Sequence, residues 1–342
     1  MSLILVTSDR FADHLPPPGH PEGVERAEVM QIVASEFKRR GGRVMEPRPA
    51  TEDELAGVHD RGYIRLIRET AGRAVALDQD TFTSPDTYDI ALLAAGAVVV
   101  AVEQVLDSGP GTRAFAMQRP PGHHAERSRA MGFCLFNNVA IGAAMARARG
   151  LSRVAVVDID VHHGNGTQWS FYDDPSVLVI SSHQYPYYPG SGSADQTGTG
   201  AGVGFTVNFP IEAGATDADY ERVYQSAEDV LLQFRPELIL MSMGFDAHRN
   251  DPLGGMRLTT GQFVRLAARI ASVADRCCGG RLVAAVEGGY DLEALAASLR
   301  GVVDVLDRPT ALDELPAPMG DSRRGEAAIR AARAYLGQAW TI

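Results

Sequence analysis

Residues 153–166 read Arg153-Val-Ala-Val-Val-Asp158-Ile-Asp160-Val-His162-His163-Gly-Asn165-Gly166. An apolar β-branched run passes without a break into carboxylates and imidazoles, and then into glycine. A strand covered on both faces shows such a continuous apolar run. The polar cluster falls where that strand would end. In open α/β sheets, ligands bind outside the carboxyl ends of the strands. The stretch therefore predicts a parallel sheet with a site at its carboxyl edge. Along an extended chain, period two sends Asp158, Asp160 and His162 to one side. Carboxylate and imidazole two residues apart suit a divalent metal, because both reach one ion from the same face.

Working outward, short apolar runs alternate with helical patterns along the chain. Strands are expected at Leu3–Val6, Arg113–Met117, Arg153–Asp158, Val177–Ser181, Phe205–Asn208, Leu238–Ser242 and Leu282–Val286. Helices are expected over Val24–Arg40, Thr87–Leu106, Asn137–Arg149, Asp217–Phe234, Thr260–Cys277 and Leu292–Leu306. Such alternation implies βαβ units. The expected fold is a single α/β domain, with a mostly parallel central sheet flanked by helices, over residues 1–310. Residues 311–342 form a Pro- and acid-rich connector and a last helix, roughly Ser322–Gly337, that lies back on the domain or reaches a partner subunit.

Composition narrows the function. The chain has 342 residues, 45% hydrophobic and 22% charged, with net charge −11. That charge argues against a nucleic-acid partner, which normally requires a basic face, and it leaves room for a cationic substrate. The apolar run from Ile90 to Val102 falls short of the roughly 18 residues of a membrane span, so no membrane partner is expected. The opening residues show no secretory pattern. Three cysteines, Cys134, Cys277 and Cys278, form no disulfide framework, which points to a reducing cytoplasm.

Three further clusters follow predicted strands. Arg119-Pro-Pro-Gly-His123-His124-Ala-Glu126 places two adjacent imidazoles in a tight loop, as a base and acid pair or as ligands. Gly244-Phe-Asp246-Ala-His248 supplies Asp246 as a third ligand from another strand, with His248 a candidate by spacing alone. Glu287-Gly288-Gly289-Tyr290 lets backbone approach a ligand and sets a tyrosine hydroxyl where an oxyanion would develop. Together the clusters predict metal-assisted hydrolysis, in which a histidine takes the proton of an activated water. No nucleophile elbow, P-loop or dinucleotide fingerprint is present.

In this order and context the clusters resemble the histone deacetylase family, within the arginase–deacetylase fold. The matching stretches are 119–126, Gly-Phe-Cys-Leu-Phe-Asn-Asn at 132–138, 157–168, 244–248, Asp-Pro-Leu-Gly-Gly at 251–255, and 287–290. The forms at 119–124 and 162–168 are similar to the class II branch, with its bacterial deacetylase-like amidohydrolases. The resemblance implies zinc, or iron(II), held by Asp160, His162 and Asp246, which leaves His248 a neighbour. It implies His123 and His124 as the tandem histidines, oriented by Asp158 and Asn165, and Tyr290 as the catalytic tyrosine. Asn165 stands where other branches have a carboxylate, which would make His124 the better general base.

The resemblance also implies an acyl-lysine channel walled by Phe133 and Tyr188, with Gly132, Gly288 and Gly289 along it and Asp80 at its rim. It implies a structural potassium ion near Asp158 and Ser181 and the carbonyls of Asp160, His162 and Ser182. Polyamine-deacetylating relatives carry an acidic gatekeeper where this chain has Leu253. The expected activity is therefore removal of acetyl or other acyl groups from lysine side chains of peptides or proteins, or from a related small acylated amine. The alternatives are an acetylpolyamine amidohydrolase and, more remotely, an arginase-type ureohydrolase or an acyl-lysine-binding pseudoenzyme. A ureohydrolase needs a second Asp-x-Asp set that is absent after Asp246, and retention of Tyr290, His123 and His124 speaks against a pseudoenzyme. The long loop between His183 and Gly204 and the final helix are expected either to shape the channel rim or to build a subunit interface, so a homo-oligomer is compatible with them.

Overall fold

The computed structural model describes residues 2–342. Eight strands form one sheet: β1 (Ser2–Val6), β2 (Arg43–Met45), β3 (Thr112–Ala116), β4 (Val154–Asp158), β5 (Val177–Gln184), β6 (Thr206–Ile211), β7 (Leu238–Met243) and β8 (Leu282–Val286). Their order is β2-β1-β3-β8-β7-β4-β5-β6. Every pairing is parallel, so the sheet is wholly and not just mostly parallel. Among the described residues the α-helices are α1 (Glu25–Arg39), α2 (Glu52–Ala56), α3 (Arg61–Arg68), α4 (Thr87–Asp107), α5 (Asn138–Ala148), α6 (Asn165–Ser170), α7 (Asp217–Phe234), α8 (Thr260–Cys278), α9 (Leu292–Asp307) and α10 (Arg323–Leu336).

Alternation along the central strands builds two cores. Phe115, Ala155 and Val157 face the layer of α1, α7, α8 and α9, whereas Ala114, Ala116, Val154 and Val156 face α4 and α5. Both faces are apolar, which explains why these strands read as unbroken runs. Helix α4 is long and apolar enough to cross a membrane by length and composition, but most of it is buried here, against α5 and β3. Helix α10 lies on β6 and α7. Beyond it, the Trp340 ring packs edge-on against Phe205 and Phe234, and its Nε1 donates to the Gly204 carbonyl at 2.6 Å.

The four motif-bearing strands β3, β8, β7 and β4 are adjacent in the middle of the sheet. Clusters up to 170 residues apart in sequence therefore meet at one carboxyl edge. One expectation needs correction: β4 ends at Asp158, so Asp160 and His162 are not strand positions of period two. They lie in a bend that turns back on itself, with the His162 amide donating to Asp160 Oδ1 at 2.9 Å.

Candidate active site

Asp160, His162 and Asp246 converge, with one potential ligand atom from each lying within 4.8 Å of the others. Backbone amides fix both carboxylates. Gly288 N donates to Asp160 Oδ2 at 2.9 Å, and Val161 N donates to Asp246 Oδ1 at 2.9 Å. His162 Nδ1 stands 3.1 Å from Asp160 Oδ1 and 3.1 Å from Asp246 Oδ2. Two buried carboxylates facing one imidazole leave an excess of negative charge that burial makes costly. A divalent cation would offset it, and the tight donor set fits one. A Cβ at Gly288 would fall on the carboxylates of Asp160 and Asp246, so the close approach requires glycine there. His248 is outside the group: its Nδ1 accepts from Asn250 N at 3.2 Å, and its Nε2 lies 3.4 Å from Thr260 Oγ1.

The tandem histidines sit beside this triad, their ring centroids 4.0 Å apart. His123 Nδ1 lies 2.9 Å from Asp158 Oδ2, and His124 Nδ1 lies 2.8 Å from Asn165 Oδ1. Asn165 Nδ2 donates to Glu126 Oε1 at 2.7 Å, which fixes the amide with its oxygen toward His124. His124 is therefore a donor at Nδ1 and keeps Nε2 as an acceptor. Burial would lower His123, but the charges of Asp158 and Asp160 outweigh it and push His123 up to about 10. Burial, followed by the neighbouring charges of His123 and His162, holds His124 well below the usual range. One ring is thus a fixed cation and the other a neutral base, the separation of pKa values expected of an acid–base pair.

Both rings open onto a cavity of about 170 Å³. Of the expected channel residues, Asp80, Gly132, Phe133, Tyr188, Leu253 and Gly288 line it, as does Tyr290. Tyr290 stands edge-on to Phe133 at 5.8 Å, and Tyr188 edge-on to His124 at 5.2 Å. Asp80 Oδ1 accepts from the Gly132 amide at 3.2 Å and from Thr81 Oγ1 at 2.9 Å. Gly289 is a correction: it turns away from the channel, at φ +124°, and a Cβ there would meet Phe245. Its carbonyl instead accepts from Arg26 Nε at 2.8 Å.

Sequence reasoning missed two parts of the site. Tyr187 stacks on His162, centroids 5.6 Å apart, and its hydroxyl donates to the Leu253 carbonyl at 3.1 Å. The loop after β5 thus shapes the rim, one of the two roles expected of it, and Tyr187 is the residue in it that the sequence did not single out. Behind Tyr290, the guanidinium carbon of Arg26 lies 5.1 Å from the ring centroid, and Arg26 also pairs with Glu22 at 2.8 Å. Glu22 in turn accepts two hydrogen bonds from Arg119, each at 2.7 Å. The Tyr-Tyr pair at 187–188 was a visible signal. A charged residue inside a helical pattern, such as Arg26, gives none.

Around the expected monovalent-cation position, Ser181 is in register with Asp158. The Ser181 hydroxyl lies 2.9 Å from His183 Nδ1, and the Ser182 hydroxyl lies 2.9 Å from Tyr224 Oη.

Comparison with known proteins agrees with this geometry. The family model for the histone deacetylase domain matches residues 20–306. A probable deacetylase of Archaeoglobus fulgidus is 39% identical over 293 residues, covering 84% of this chain and 81% of that protein. Human polyamine deacetylase HDAC10 is 39% identical over 336 residues, covering 93% of this chain but 49% of its own length. The crystal structure of the HDA15 HD domain superposes with a TM-score of 0.90 at 32% identity, covering 99% of this chain and 95% of the other.

Proposed function

The chain belongs to the histone deacetylase family, and from that premise we propose that this deacetylase acts on acyl-lysine side chains of peptides and holds zinc through Asp160, His162 and Asp246. When bound, zinc would polarise the acyl carbonyl and lower the pKa of an attacking water to about 7. His124 Nε2 takes the proton of that water. His123, kept cationic by Asp158, strengthens the local field and donates toward the departing amine. The hydroxyl of Tyr290, a half-buried residue lining the channel, donates to the oxyanion as the carbonyl carbon becomes tetrahedral. Asp158 and Asn165 act by fixing the two rings.

The observation that carries the substrate reading is the wall of the channel. Phe133, Tyr187, Tyr188 and Leu253 make a narrow apolar lining, which suits a straight methylene stem with one polar end. Leu253 offers no charge to a second ammonium group. Asp80 stands at the rim and could accept from a substrate amide. Polyamine deacetylation is the second reading, favoured by the 39% identity to human polyamine deacetylase HDAC10. We further propose a cytoplasmic location, a reading that the free thiols of Cys134, Cys277 and Cys278 support.

Turnover of an acetyl-lysine peptide and of acetylspermidine by the zinc-loaded enzyme tests the reading. A higher kcat/KM for the peptide is expected. A higher value for the polyamine would overturn the assignment made from Leu253.

A further inference from the structure

The loop that brings Leu253 to the channel has a second side. Arg249 and Arg257 stand at its two ends, where it is pinched. The Arg249 amide donates to the Leu258 carbonyl at 2.9 Å, and the Arg257 amide donates to the Ala215 carbonyl at 2.8 Å. Both side chains are exposed, and among the described residues neither has a carboxylate partner. With Asn250 and Met319 they line a groove of about 430 Å³ between the starts of α7 and α8.

Past the shared residues Asp217, Thr259 and Met319, the groove runs on into a recess of about 90 Å³ walled in part by Gln262. Gln262 is 1% exposed, and neither its amide oxygen nor its nitrogen has a hydrogen-bond partner. A buried amide left unpaired at the end of an open groove is a position that a ligand group would satisfy. Asp217, the carboxylate in the lining, is already engaged by Thr259 N at 2.8 Å and Thr259 Oγ1 at 2.9 Å. Because the Thr259 hydroxyl turns to Asp217, helix α8 has no side-chain cap. In a chain of net charge −11, a cleft lined by the two ends of the loop that carries Leu253 therefore presents two free cations and an uncapped helix start, and leads to an unpaired amide.

We propose that this groove docks an acidic side chain of the polypeptide substrate, a few residues along from the acyl-lysine in the channel. The proposal rests on the peptide reading given above. Leu253 is four residues from each arginine, so their Cα atoms are at most about 14 Å apart. An extended peptide with the acyl-lysine beside Leu253 would reach the arginines in about four to six residues. The same two charges would repel a polyamine chain.

Paired acetyl-lysine peptides, alike except for Glu or Gln five residues from the acetyl-lysine on one side or the other, test this with wild type and an Arg249→Gln/Arg257→Gln double variant, both zinc-loaded. In wild type, one glutamate peptide is expected to exceed its glutamine partner in kcat/KM by about five- to tenfold, mostly through KM, as two partly exposed ion pairs allow. Salt at 0.5 M should erase that preference, and so should the double variant. A capped acetyl-lysine amide, too short to reach the groove, is expected to be turned over equally by both proteins. Absence of a preference in wild type, or its survival in the double variant, would overturn the proposal. Failure of the underlying peptide reading would show separately, as faster turnover of acetylspermidine than of the capped acetyl-lysine amide.

Discussion

Asn165 presents its amide oxygen to His124 Nδ1 at 2.8 Å while its amide nitrogen donates to Glu126 Oε1 at 2.7 Å. A carboxylate at 165 could accept from His124 but could not donate to Glu126. The neutral side chain therefore reconciles the base with an acidic neighbour. Asn165→Asp would add a negative charge against His124 and raise its pKa, so a higher pH would be needed to free the base. The acid limb of the kcat/KM profile is expected to move up by about one unit or more. Adding Glu126→Gln should rescue packing but not the limb. An unmoved acid limb would remove His124 from the role of base.

Asp246→Asn tests the metal centre more cleanly than alanine, because an amide oxygen can still accept from Val161 N. The expected outcome is a folded protein whose zinc content, measured after dialysis against a chelator, falls to a small fraction of wild type. Activity should fall with it. Full zinc occupancy would show that Asp246 is not a ligand.

Tyr290→Phe removes a hydroxyl and leaves the ring that Arg26 and Phe133 hold in place. Loss of one oxyanion donor typically costs about 10²–10³-fold in kcat. Zinc content and KM should change little, and a wild-type kcat would mean that the oxyanion is held elsewhere.

Leu253→Glu puts a carboxylate at the channel mouth, where Tyr187 already holds the residue's backbone carbonyl. The ratio of acetylspermidine to acetyl-lysine peptide turnover should rise about three- to fivefold, the value of one favourable ion pair at the rim. An unchanged ratio would take Leu253 out of the specificity argument.

The parts legible in the sequence share a physical cause. Strands buried on both faces read as apolar runs, and the residues that do chemistry stand directly after them, so Asp160, His123, Asp246 and Tyr290 were locatable one strand at a time. Strand β2 was not, because it has three residues, begins with Arg43 and pairs only with β1 at the edge. The buried ion network was illegible for another reason. Arg119 meets Glu22 across 97 positions, and Arg26 meets the Gly289 carbonyl across 263. Nothing local marks either arginine as fully buried. Gly289 was not separable from Gly288 in the sequence, because its positive φ of +124°, which turns the chain there, is a property of the backbone that two adjacent glycines do not reveal.

Acid stability follows from a histidine outside the chemistry. His59 is 1% exposed; its Nδ1 lies 3.0 Å from the Glu126 carbonyl, and its Nε2 accepts from the Asn137 amide at 2.9 Å. Only the neutral ring with its proton on Nδ1 satisfies both partners, since a proton on Nε2 would face an N–H. Burial accordingly lowers His59 from 6.5 to about 4. Between those values the unfolded chain binds the proton and the folded chain does not, so stability rises with pH across the window and is lost as pH falls. From pH 7 to pH 5 this one group should cost about 2 kcal/mol, at 1.36 kcal/mol per unit. Glutamine offers a donor and an acceptor without titrating, so the urea midpoint of His59→Gln should fall less between pH 7 and pH 5 than that of wild type. Comparing the two proteins at each pH cancels what the zinc site and the other buried histidines contribute. An equal fall in both would place the acid sensitivity elsewhere, with His14, also lowered to about 4 by its burial, the next group to replace.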